Sequence, residues 1–186
     1  MNVKGFWVCL LLFSLGSFNL AYSQEEYACS GQAKEFGLEG SRLMQQGRFL
    51  EAIDSFKKAL NCDSKCLVAY LGIGGCYSSL GDYEKAIETY ESAIKAIPRY
   101  ASVFRNSIAA QYMFQKEYEK AISYLKESLE LFPEDQQTFL ALGSAYYKAG
   151  DSLNAKDNFQ KALNISLKKN DDATAKAAQD ALNAIP

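Results

Sequence analysis

Cysteine is the residue type in this chain best suited to covalent chemistry. Cys29, Cys62, Cys66 and Cys76 lie in the first half, and Cys9 stands apart near the start. In an oxidising compartment the four admit three full pairings. The segment Cys62-Asp63-Ser64-Lys65-Cys66 can close on itself or bridge to a neighbour. Cys29–Cys62 and Cys29–Cys66 are both within reach. Cys29, Cys62 and Cys66 are therefore the disulfide candidates. Cys76 sits where a helix takes a small buried residue and is read as a reduced core thiol. A dithiol redox enzyme wants Cys-x-x-Cys at a helix start, and no such spacing occurs.

Other chemistry is poorly provided for. The 186 residues include no histidine. The commonest general base, the usual triads and most zinc or iron sites go with it. No nucleophile–base pair, phosphate-cradling glycine loop or metal-ligand cluster takes its place. The reading is a non-enzyme with no catalytic, cofactor-binding or metal residues. A net charge of −2 and the lack of a Lys/Arg block set nucleic acid aside. Glutamates do cluster, at Glu84, Glu88 and Glu91 and from Glu117 to Asp135. They read as a solvated face with helical ion pairs of about a few tenths of a kcal/mol each.

The first residues look like an export signal. Met1 to Lys4 is short and positive, and Gly5 to Leu20 is apolar. Ala21-Tyr22-Ser23 offers small residues for cleavage, which leaves Gln24 as the first mature residue. The apolar run is shorter than the roughly 20 residues that span a bilayer, and no span is expected after cleavage. The chain is read as exported, periplasmic or secreted, with 24–32 as an N-terminal extension.

The remaining sequence repeats. Gly47-Arg48-Phe49-Leu50-Glu51-Ala52-Ile53, Gly81-Asp82-Tyr83-Glu84-Lys85-Ala86-Ile87 and Lys116-Glu117-Tyr118-Glu119-Lys120-Ala121-Ile122 align, and Gly150-Asp151-Ser152-Leu153-Asn154-Ala155-Lys156 is a weaker fourth copy. Four residues after each alanine comes a large apolar residue: Phe56, Tyr90, Leu125 or Phe159. Three further on comes a small one: Ala59, Ala93, Ser128 or Ala162. Positions i, i+4 and i+7 share one helix face. An earlier helical stretch precedes each turn, with Tyr70, Ile73, Gly74 and Tyr77 in the second copy and Phe139, Leu142, Gly143 and Tyr146 in the fourth. Gly81 and Gly150 can close one helix in the left-handed conformation. Asp82 and Asp151 can cap the next. Pro98 and Pro133 end the second helices.

This pattern resembles the tetratricopeptide repeat, a helix-turn-helix unit of about 34 residues. Residues 67–100 match best, with Tyr70, Gly74, Tyr77, Gly81, Tyr83, Ala86, Tyr90, Ala93 and Pro98 in place. The resemblance implies an all-α fold: a right-handed α-solenoid of antiparallel helix pairs. Four units fall at 33–66, 67–100, 102–135 and 136–169, and a capping helix at 170–186 covers the last apolar face. Ala181, Leu182 and Ile185 would pack backward while Lys176, Gln179 and Asp180 stay wet. Lys116 replaces the turn glycine of the third unit, so the turn is either strained or differently built. Ser152 replaces an aromatic residue, which suggests a looser fourth unit.

In this family the first helices line a concave groove that takes a protein or peptide. By position, the groove residues here include Met44, Val68, Leu71, Val103, Asn106, Met113, Phe114, Leu140 and Tyr147. They are read as free of packing duties within a unit, and therefore as a surface for an extended or helical apolar peptide. A clamp for acidic chaperone tails needs Lys, Asn and Arg; Gly37, Ser41, Leu71, Gly75 and Ala110 do not fit it, and only Asn106 does. The expected function is a protein- or peptide-binding scaffold of the cell envelope or extracellular space. The alternative is a self-associating structural module of an envelope assembly, pairing as a homo-oligomer.

Overall fold

The computed structural model describes Cys29 and residues 31–185. The export signal read over 1–23, and residues 24–28 of the extension, lie outside the described residues. The described residues form helices joined by turns and short irregular links, with no strand among them, so the fold is all-α. Two compact units divide the chain, the first ending at Ile97 and the second starting at Pro98. The first holds α1 (Gly31–Gln45), α2 (Phe49–Cys62), α3 (Leu67–Leu80) and α4 (Tyr83–Ala96). The second opens with one 3-10 turn (Pro98–Tyr100). It continues with α5 (Ala101–Phe114), α6 (Tyr118–Leu131), α7 (Gln136–Lys148), α8 (Ser152–Lys169) and α9 (Asp172–Ala184). Short turns make sequential helices antiparallel neighbours, and each packs on the next within its unit.

The repeated alanines explain the close packing. Ala52, Ala86, Ala121 and Ala155 are all 0% exposed. The large residues that follow them each press on a small residue of the preceding helix. A Cβ added at Gly40 would lie 2.8 Å from the Phe56 ring, at Gly74 2.4 Å from Tyr90, and at Gly143 2.6 Å from Phe159. The third copy makes the trade in reverse: Leu125 is smaller, and Ala109 takes the glycine's place in the same buried cluster. Volume is conserved across the pair, as close-packed interiors require. In the first unit Phe56 also meets Gly72 of α3, where an added Cβ would lie 2.3 Å from its ring. One ring thus joins α1, α2 and α3.

The turns follow local chemistry. Gly47, Gly81 and Gly150 have φ of 75°, 80° and 87°. Asp82 accepts a hydrogen bond from the Lys85 amide at 3.2 Å, and Asp151 accepts one from that of Asn154 at 3.0 Å. Lys116 adopts the same left-handed turn, at φ 63°, so the strain is accepted and the turn is not rebuilt. A non-glycine residue there costs about 1–2 kcal/mol, partly offset because glycine leaves the unfolded chain freer. Lys116→Gly is therefore expected to stabilise the protein by about 1 kcal/mol. A urea midpoint that stays put or falls would remove the strain argument.

The turns also repeat an electrostatic device. Lys85 pairs with Asp82 at 2.5 Å and lies 5.6 Å from the Tyr77 ring centre. Lys120 pairs with Glu117 at 2.5 Å and lies 5.5 Å from that of Tyr112. Such exposed pairs contribute little stability individually.

The fourth pair is not loosened throughout. Ala155, Phe159 and Ala162 are 0%, 3% and 0% exposed, so its lower part packs like the others. Ser152, where the other copies have an aromatic residue, is exposed at the start of α8. The terminal helix α9 packs on α8 and α7. Ile185 is buried, Ala181 and Leu182 lean on the same cluster, and Lys176, Gln179 and Asp180 are exposed. Asp171 caps α9, accepting from the Thr174 amide at 3.1 Å, and also accepts from Gln136 Nε2 at 3.0 Å. Burial raises the Asp171 pKa, but the bonds from Thr174 and Gln136 outweigh it and hold the carboxyl below the usual aspartate range.

Candidate functional site

The first helix of each pair turns one face toward its neighbours and leaves another partly open. On α3 the packed face is Tyr70, Ile73 and Tyr77. With Leu60 of α2 and Ser92 of α4, among others, these residues line a solvent-open depression of about 300 Å³. The opposite face carries Val68, Leu71, Gly75 and Ser78, spaced so that they align along the helix. Val68 and Leu71 are half-buried, and Gly75 and Ser78 are buried. Gly75 differs from the other glycines of α3: a Cβ placed there meets no heavy atom within 4 Å, whereas at Gly72 and Gly74 it would collide with a ring. A helical glycine costs roughly 1 kcal/mol relative to alanine. At Gly72 and Gly74 packing explains it; at Gly75 packing does not.

On α1, Met44 is half-buried and packs against the first unit's core, as does Val68. In the second unit the matching stripe on α5 is Val103, Asn106, Ala110 and Met113, all half-buried, with Phe114 beside its end. Met113 packs against the core of Ala109, Ala121 and Leu125. On α7, Leu140 packs against the cluster of Phe159 and Ile185, while Tyr147 is 42% exposed. The expectation that these positions have no packing duty therefore fails for Met44, Val68, Met113 and Leu140. The helices sit close enough that long apolar side chains on the open stripe still reach the core edge.

Asn106 has a structural engagement of its own. Its Oδ1 accepts from the hydroxyl of Thr138, a fully buried residue of α7, at 2.9 Å. Serine hydroxyls on and beside these stripes are also spent internally. Ser41, Ser79, Ser107 and Ser144 each donate to the carbonyl four residues back, at 2.9–3.0 Å. The stripes consequently present small and apolar surface with few free donors.

The cysteines resolve into one bridge. Cys29 is bonded to Cys66, with Cα atoms 4.7 Å apart. Both belong to the first unit's buried core. Cys62, the third disulfide candidate, is a free, exposed thiol at the end of α2. Cys76 is a free buried thiol, and burial pushes its pKa up to about 12. It is a packing residue without nucleophilic character at neutral pH.

A family model for the tetratricopeptide repeat matches residues 40–98 and 99–168, well over half the chain. The chain belongs to the tetratricopeptide repeat family. Tetratricopeptide repeat proteins serve as protein–protein interaction scaffolds. Among curated relatives, the Hsp70-Hsp90 organizing protein of Triticum aestivum is 28% identical over 114 residues, 61% of this chain and 19% of that protein. The Photosystem I assembly protein Ycf3 of Rippkaea orientalis is 30% identical over 115 residues, 52% of this chain and 65% of that one. The chain spans about a fifth of the first of these. Among solved structures, a thermophilic TPR protein of Thermus thermophilus superposes with a TM-score of 0.64 at 19% identity, covering 94% of this chain and 88% of that one. MamA from Desulfovibrio magneticus gives 0.57 at 20% identity, covering 85% and 95%. At these identities the superpositions speak to the repeat fold alone.

The stripe positions were legible by repeat register. The odd status of Gly75 was not, because Gly72, Gly74 and Gly75 look alike in sequence. Only the position of an aromatic ring from another helix separates them.

Proposed function

We propose that this protein is an exported binding scaffold that holds an extended or helical apolar segment of another protein against the first helices of its repeats. Gly75 carries the reading. It is a helical glycine with open space where its side chain would be, flanked along the helix by Val68, Leu71 and Ser78. A glycine kept without a packing reason suits the close approach of another backbone. Half-buried Val103, Met113 and Phe114 offer apolar contact of the same kind in the second unit. The Cys29–Cys66 bridge supports export, since disulfides persist in oxidising compartments. So do the apolar run and small-residue cleavage site of the first 23 residues.

The test is cross-linking in the producing cell, followed by recovery of partners from the envelope and secreted fractions. The recovered chain should begin at Gln24 and bring a partner with it. Gly75→Ala should leave the helical circular dichroism unchanged and the stability within about 1 kcal/mol of the parent, because the added Cβ meets no heavy atom within 4 Å. It should reduce partner recovery by about tenfold or more, since a blocked close contact costs upward of about 1.4 kcal/mol. Unchanged recovery would remove the stripe as the binding surface. A stable dimer by light scattering, with Phe114 in its interface, would favour self-association instead.

A further inference from the structure

The three cysteines of the first unit's end form a set whose third member has no structural role. Cys29 lies two residues before α1, Cys62 is the last residue of α2, and Cys66 caps the start of α3. Because α1, α2 and α3 run antiparallel in turn, the start of α1, the end of α2 and the start of α3 lie at one end of the unit. Cys29 and Cys66 are 5% and 1% exposed, so thiols in solution have little access to their bond. Cys62 is exposed and free, and only three residues separate it from Cys66. Those residues form a largely exposed turn, tied to the helices by the Asp63 amide donating to the Ala59 carbonyl at 2.8 Å and the Tyr70 hydroxyl donating to the Ser64 carbonyl at 3.3 Å. The Cys66 amide donates to the Asp63 carbonyl at 3.1 Å, and the Lys65 amide donates to Asp63 Oδ1 at 3.0 Å. Cys76 is ten residues further along α3, roughly 15 Å away by helical rise, and cannot join in.

We propose that Cys62 is an exchange thiol that opens the buried bridge from within. When the turn at 63–65 loosens, the Cys62 thiolate attacks Cys66 Sγ. The Cys62–Cys66 bond forms and the Cys29–Cys66 bond breaks. The electron pair leaves on Cys29 Sγ, which takes a proton from water in place of the one Cys62 gave up. One disulfide and one thiol stand on each side, so no oxidant or reductant is consumed. The tether between three neighbouring residues holds Cys62 near the bond at an effective concentration of millimolar or above, and exchange rates follow access and thiolate fraction. The product no longer ties residue 29 to α3. It places the disulfide in an exposed turn, where external thiols can finish the reduction. The bridge is thereby redox-sensitive, and with it the anchoring of α1.

The experiment compares the oxidised full chain with Cys62→Ser in millimolar glutathione, quenching with acid and alkylating before peptide mapping. Because Cys62 is exposed, Cys62→Ser should keep the parent's thermal midpoint. The parent should lose its bridge about tenfold faster or more. Its early samples should contain Cys62–Cys66 with Cys29 alkylated. Equal rates in the two proteins would overturn the proposal, as would early samples holding Cys29–Cys62 or only the original bridge.

Discussion

Phe56→Ala is expected to destabilise the first unit by about 3–5 kcal/mol, at the upper end for a single large-to-small change. The ring is 1% exposed, and it lies between the backbones of Gly40 and Gly72, on helices before and after its own. Loss of the ring removes its transfer free energy and leaves a cavity whose cost depends on how far the walls can collapse. Here two walls are glycines, with no side chains to swing inward. The helices themselves would have to move, and Ala52 and Ala59 on the same face of α2 are already fully buried. Phe56→Leu retains most of the volume and should cost only about 1–2 kcal/mol. Repeat proteins can unfold in parts, so the measurement is hydrogen exchange of α1, α2 and α3 amides with the Cys29–Cys66 bond intact. A loss below about 1 kcal/mol for the alanine variant would contradict the wedge geometry.

Phe56 also shows how much of this fold was open to reading from sequence. Its place on a buried helix face followed from Ala52, Phe56 and Ala59, because helical spacing fixes which residues share a face. The capping roles of Asp82 and Asp151 followed from side-chain chemistry within one turn. What Phe56 touches on α3 did not follow. That contact depends on the offset between successive helix pairs, which no local pattern encodes. The half-burial of Met44, Val68, Met113 and Leu140 was hidden for the same reason. Register places them on the open face, yet the distance between neighbouring helices decides whether a long side chain on that face reaches the core. Lys116 was a different kind of uncertainty. Sequence showed that the glycine was absent but not whether backbone strain or a new turn resulted; the surrounding helices, built as in the other copies, force the strain. Pairing of the cysteines depends on which ends of three helices meet, and so three options stayed open until the helices were placed.

Replacing both Cys29 and Cys66 by alanine is expected to cost about 4 kcal/mol, comparable with the loss of Phe56. The bridge spans 37 residues of sequence, and closing a loop of that length removes roughly 4 kcal/mol of chain entropy from the unfolded state. Little of this returns as packing gain, because two alanines fill less of the core than the bonded sulfurs. The loss should be uneven. Cys29 holds the start of α1 to α3, and α1 otherwise rests on its neighbours through small contacts at Ala33, Gly37 and Gly40 and larger ones at Phe36, Leu43 and Met44. The amides of α1 should therefore lose hydrogen-exchange protection before those of α3, whose glycine-rich length is enclosed by α2 and α4. Reductant added to the parent should reproduce the same order of loss, since it removes the same constraint while leaving both sulfurs in place. Cys62→Ser should not, because its side chain is exposed and outside the bridge. If the double variant melts with the oxidised parent, the bond constrains nothing that the helices do not already hold. In that case the start of α1 is secured by the apolar contacts alone, and the redox sensitivity inferred for Cys62 would have no structural consequence.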